Sequence, residues 1–143
     1  MRKKYFTLII ISIVFLLLSN CKKEQDPSSS LLIGKWNQVS ITMYNYYDNV
    51  KLNETTTAYS AGELVLEIYD DGTAKKFLNG TISDGFYWQT EGNLLITTNS
   101  NGVIQNSEFA VNKTDLTIKW AVEFNTDGHI SKTEYMSTYK RAT

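Results

Sequence analysis

Few side chains in this 143-residue sequence could do chemistry, and their spacing narrows what they could do. The chain holds one histidine, His129, and one cysteine, Cys21. A metal centre on nitrogen and sulfur ligands needs a cluster of them, so none is expected. A nucleophilic serine with a histidine base would have to recruit His129, which follows Asn125-Thr126-Asp127-Gly128 and therefore reads as an exposed turn residue. Asp70 and Asp71 offer two carboxylates for acid–base hydrolysis. Neighbours on a strand point to opposite faces, however, and Asp70-Asp71-Gly72 reads better as a hairpin turn. No glycine-rich phosphate loop occurs. The sequence thus predicts a protein that is not an enzyme and needs no cofactor or metal.

The cysteine belongs to the first segment of the chain. Arg2, Lys3 and Lys4 form a basic start, and the apolar run Tyr5–Leu18 follows. That run is 14 residues long. A membrane-spanning helix needs about 17–20 residues, so the layout fits a cleaved secretory signal over residues 1–20 better than an uncleaved anchor. Leu18-Ser19-Asn20-Cys21 resembles the lipobox of bacterial lipoproteins, with Asn20 where that pattern has Gly, Ala or Ser. The resemblance implies a diacylglycerol on the Cys21 sulfur, cleavage before Cys21, and acylation of the new N-terminus. A stray thiol in an oxidising compartment would be a liability, and with no second cysteine an intramolecular disulfide is excluded. Two or three acyl chains are enough for durable anchoring, so a membrane is the first expected partner. The expected location is the cell envelope, lipid-anchored, in the outer membrane of a Gram-negative bacterium. Glu24 and Asp26, after Lys22 and Lys23, resemble a signal for display on the outer surface.

Removing residues 1–20 leaves 123 residues, with eleven basic side chains against fifteen acidic ones and a net charge of −4. No basic patch remains, so nucleic acid is not an expected partner. Residues 21–30 are polar, contain the only proline, and read as a flexible tether. One domain, residues 31–143, is long enough to bury its own core.

That domain reads as strand after strand between short turn signals. The expected strands are Lys35–Tyr46, Glu63–Tyr69, Thr73–Leu78, Phe86–Gln89, Leu94–Thr98, Val103–Val111, Leu116–Phe124 and His129–Arg141. Alternation is clearest in the seventh, where Leu116, Ile118, Trp120, Val122 and Phe124 share one face. A few residues around Leu31–Ile33 could make a turn of helix. The only long loop expected runs from Tyr47 to Ala61.

About eight meandering strands can close into an up-and-down antiparallel β-barrel without exposed edges. Ile33-Gly34-Lys35-Trp36 is similar to the Gly-x-Trp motif that opens the first strand of lipocalins, and Tyr139-Lys140-Arg141 to the end of their last strand, whose arginine packs over that tryptophan. With Leu66–Thr73, Gly85-Phe86-Tyr87 and Gly92–Thr97 between them, the chain resembles the lipocalin-like domain of bacterial lipoproteins over Leu31 to Ala142. Topology alone already places Trp36 beside Arg141, since the first and last strands of an even meander meet at one end. The resemblance implies a closed end built on Gly34, Trp36 and Arg141. It also makes Tyr47–Ala61 a lid at the other end, over a cavity. Tyr44, Leu66, Ile68, Tyr87, Trp120 and Tyr135 are the candidates for lining that cavity, against a plain packed core as the alternative. The implied function is binding of a small hydrophobic or amphipathic ligand or lipid in the barrel. The rival is a non-enzymatic interaction module, an accessory subunit, inhibitor or glycan-binding protein, using loops rich in Tyr44, Tyr46, Tyr47 and Tyr59.

Overall fold

The computed structural model describes residues 27–143, so the signal sequence and Cys21 lie outside the described residues. It contains α1 (Pro27–Leu32) and nine antiparallel strands: β1 (Gly34–Tyr47), β2 (Val50–Ala58), β3 (Leu64–Ile68), β4 (Thr73–Leu78), β5 (Thr81–Glu91), β6 (Leu94–Asn99), β7 (Ile104–Val111), β8 (Asp115–Thr126) and β9 (His129–Arg141). From β3 to β9 each strand pairs with the next, and β9 pairs back with β1. The lower half of β1, Gly34–Asn37, also pairs with β3. Eight strands therefore close into an up-and-down barrel, and β2 is an extra strand beside it.

The expected eight strands are all present, and the Tyr47–Ala61 lid is not. Most of that segment is β2, which pairs with the upper half of β1 from Ser40–Ala58 to Tyr47–Val50. The turn is Asp48-Asn49, with φ of 48° and 64°. Two consecutive positive φ values define the type I′ hairpin turn, whose twist matches that of its flanking strands. Asp and Asn tolerate this conformation without a glycine, and three β-branched threonines, Thr55–Thr57, favour the strand that follows.

The helix expected around Leu31–Ile33 spans Pro27–Leu32 and so reaches back into the stretch expected to be tether. Proline is well placed at a helix start, where its missing N–H would have no partner. Ser29 and Leu32 are buried, so the helix caps the lower end of the barrel.

The core lies on one face of every barrel strand. Phe109, Ile118 and Ser137 form one row across β7, β8 and β9. Leu116 and Tyr139 lie opposite each other, and Trp36, Leu66, Ile68, Ala74 and Leu95 complete the cluster. Each fully buried large side chain stabilises the fold by about 1.5–3 kcal/mol relative to exposure. Above this layer the barrel is lopsided. β3, β4 and β6 are only 5 or 6 residues long, whereas β1, β8 and β9 have 14, 12 and 13. The long strands, with β2, rise beyond the short wall as a four-stranded paddle ordered β8-β9-β1-β2.

Candidate functional site: the two ends of the barrel and an outer groove

At the closed end the structure assembles one compact polar–aromatic latch. Trp36 is fully buried and pairs with Arg141 across β1 and β9. The guanidinium carbon lies 4.1 Å from the centre of the indole ring, a cation–π geometry. The same guanidinium donates to three carbonyls: Nε to Lys113 at 2.9 Å, Nη1 to Ile33 at 3.1 Å and Nη2 to Leu31 at 2.6 Å. The Trp36 indole donates to the Leu32 carbonyl at 2.8 Å. Arg141 thus ties the chain end, the β7–β8 turn and the helix end to one point. Gly34 has φ +135°, and a Cβ there would stand 2.5 Å from Arg141 Nη1. Only glycine fits that conformation and that approach. Gly34, Trp36 and Arg141 therefore come together as the sequence predicts.

Above the latch, the interior narrows to a cavity of about 170 Å³. Leu66, Ile68, Leu95, Ile118 and Trp88 line it low down, while Lys76, Asp84, Asn99 and Gln105 line it near the open end. Of the six expected lining residues, Leu66, Ile68 and Trp120 border this cavity. Tyr135 stacks on Trp120 at 5.1 Å and 8°, but it borders an outer groove and not this cavity.

Tyr44 and Tyr87 do not line the barrel. Tyr87 is 66 % exposed, because Phe86 and Trp88 take the inward positions of β5. Trp88 is the residue that sequence reasoning missed. Its indole donates to the Tyr69 and Thr73 carbonyls at 3.0 and 3.1 Å, bracing the β3–β4 turn. Phe86 and Trp88 are two apart, an alternation that the Gly80–Gly85 segment before them obscured. Tyr44 sits on the outer face of β1, opposite Glu54 and Glu134. The β1 bulge near Val39, where the register shifts between Gln38 and Ser40, reverses the side-chain parity counted from Trp36.

That outer face holds a second concavity, a groove of about 560 Å³ across β6, β7, β8, β9 and β1. Tyr44, Tyr46, Glu108, Lys119, Lys132 and Glu134 give it its polar character, and Ala121 and Met136 its apolar floor. Lys132 and Glu134 pair at 2.5 Å. The Lys132 ammonium, and then the Tyr46 hydroxyl, hold the Glu134 carboxyl below its ordinary value. Lys51 lies over the Tyr44 ring at 4.6 Å.

The paddle tip is fastened by the sole histidine. His129 Nδ1 lies 2.7 Å from Asp48 Oδ2 and its ring stacks on Tyr47 at 5.4 Å. Asp48 Oδ1 accepts the Ile130 N–H at 2.8 Å. The histidine, and then that backbone N–H, hold the Asp48 carboxyl below its ordinary value. Asp71 accepts the Thr73 N–H and hydroxyl, closing the β3–β4 turn. Among the described residues no three His, Cys, Asp or Glu side chains group as metal ligands. No family model and no curated protein matches this chain.

Proposed function

We propose that this protein is a lipid-anchored, non-enzymatic binding protein of the bacterial cell envelope, and that it takes a small apolar or amphipathic molecule at the upper half of its barrel. The observation that carries the reading is the interior cavity: an apolar floor of Leu66, Ile68, Leu95 and Ile118 beneath a rim of Lys76, Asp84, Asn99 and Gln105. Apolar walls with a few placed polar groups are the common make-up of ligand pockets. At about 170 Å³ the cavity falls below the roughly 300 Å³ lower end of such pockets, so it suits a small molecule or one part of a larger one.

The anchor is consistent with this orientation. The described chain enters at the closed end, through α1, and Cys21 precedes Pro27 by six residues. Six residues reach about 20 Å at most. On the lipoprotein reading, the open end therefore faces away from the anchoring leaflet. Native mass spectrometry of the protein from its own host tests the function: a retained small molecule is expected, and a bare chain under conditions that preserve folding contradicts it. Cys21→Ser should release the protein from membranes, and full retention there would sink the lipid anchor.

One observation favours the interaction-module reading. Val50, Leu52, Ile82, Val103, Ile104 and Phe124 are all exposed around the open end. Apolar residues gathered in this way often mark a partner surface. Capture of a protein partner by the wild type but not by a Leu52→Ser, Phe124→Ser variant supports that reading.

A further inference from the structure

The barrel wall is incomplete on one side. β7 begins at Ile104 and β8 ends at Thr126, yet their ladder covers only Glu108–Lys119 to Val111–Leu116. Above it β7 stays paired with β6, and β8 with β9. Two strand edges therefore flank a gap, with unshared backbone polar groups along it. Trp120 is the first β8 residue beyond the last rung. Among the described residues it alone borders both the interior cavity and the outer groove. What separates the two spaces there is a stacked ring pair, Trp120 on Tyr135, and not a layer of backbone hydrogen bonds.

The two spaces offer different chemistry. The cavity, at about 170 Å³, has the size of one that accepts a benzene-sized group or a short alkyl chain. The groove offers both signs of charge. Glu108 and Lys119 stand opposite each other in the last rung, and none of the ion pairs among the described residues joins them. A purely anionic head would meet Glu108 and Glu134, and a purely cationic one Lys119 and Lys132. A head carrying both signs can oppose Glu108 and Lys119 at once.

We propose that groove and cavity are two halves of one site for a single-chain amphiphile with a zwitterionic head. The head lies across Glu108 and Lys119 on the outer face. The tail enters sideways through the β7–β8 gap, and Trp120 turns off Tyr135 to admit it. This rests on the reading that the barrel binds an amphipathic molecule, and it moves the entrance from the open end to the side. Trp120 is then a positioning residue that gates the tail, and Lys119 a contact for the head.

The test titrates octylphosphocholine, below its micelle-forming concentration, into residues 21–143 carrying Cys21→Ser, which have neither the apolar Tyr5–Leu18 run nor a thiol to acylate. One molecule should bind per chain. Ala121→Trp fills the groove from its exposed floor and should weaken binding about tenfold or more, a loss of the size seen when a central contact is removed. Lys119→Glu, an exposed change that leaves the core intact, should weaken it about fivefold or more. Leu78→Trp, which narrows the open end from the exposed end of β4 and touches neither space, should leave affinity within about threefold, and Trp120→Ala should raise the association rate several-fold. Loss of binding in Leu78→Trp with no change in Ala121→Trp and Lys119→Glu would overturn the side entrance and leave barrel binding standing. No binding by any of these proteins, each shown to unfold cooperatively, would overturn both.

Discussion

The two ends of β8 carry the same alternation and meet opposite fates. Leu116 and Ile118 are 1 % and 8 % exposed, whereas Val122 and Phe124, on the same face, are 39 % and 66 % exposed. At the lower end that face packs beside Tyr139 of β9 and joins Trp36 and Leu66 in one closed core. At the upper end the opposing wall has stopped, because β3, β4 and β6 are short. Alternation therefore says which way a side chain points, and the neighbouring strand lengths say whether anything covers it. The lower end concentrates the buried core, and the upper end leaves apolar surface uncovered.

The contrast predicts a steep gradient of mutational cost. Trp36→Ala removes the centre of the latch and should cost about 3–5 kcal/mol in urea unfolding. A cost below about 1 kcal/mol would show that the closed end does not carry the fold. Arg141→Lys keeps the charge but loses the planar fork that reaches Leu31, Ile33 and Lys113. It should cost less than Trp36→Ala, and the two changes should couple by about 0.5–2 kcal/mol because the groups touch. Strict additivity would mean that the stacking contributes nothing.

Alkaline titration probes the same end. Burial pushes the Tyr139 phenol up from 10.0 to about 12. The folded state thus holds this proton more tightly than the unfolded state does. Its contribution is fully present below pH 10.0 and is lost as pH rises through about 12. Stability measured across that window should fall, and Tyr139→Phe should remove this part of the fall. An identical alkaline profile in Tyr139→Phe would contradict the buried phenol. At the other end, Phe124→Ser should change stability by no more than about 0.5 kcal/mol, as for ordinary surface positions. A large loss there would mean that the paddle is packed against something the barrel supplies.

Sequence reasoning reached the closed end because its parts are tied to topology. Gly34, Trp36 and Arg141 sit at chain positions that any eight-stranded meander must bring together. The strand count holds for a similar reason, since Asp127-Gly128, both at positive φ, announces its turn. Asn79-Gly80 makes a positive-φ turn too, but inside a stretch that reads as a connection up to Gly85, so β5 starts at Thr81 and not at Phe86. The upper half was harder to read. Asp48-Asn49 makes the same kind of turn without glycine, so β2 passed for a loop. The irregularity at Val39 flipped Tyr44 to the outside, and one-residue parity exchanged Tyr87 for Trp88. The outer groove left no sequence signal, because Glu108, Lys119 and Glu134 are ordinary solvent-facing strand residues until the β7–β8 gap brings a cavity beside them.

Because β8 crosses both regions, residue-resolved hydrogen exchange along it is the most direct test of the division between a rigid lower end and a free upper one. Amides of Leu116–Lys119 that bond within the barrel should exchange only through global unfolding, and those of Val122–Thr126 through local opening, orders of magnitude faster. Uniform protection along the strand, or stronger protection near Phe124 than near Leu116, would contradict it.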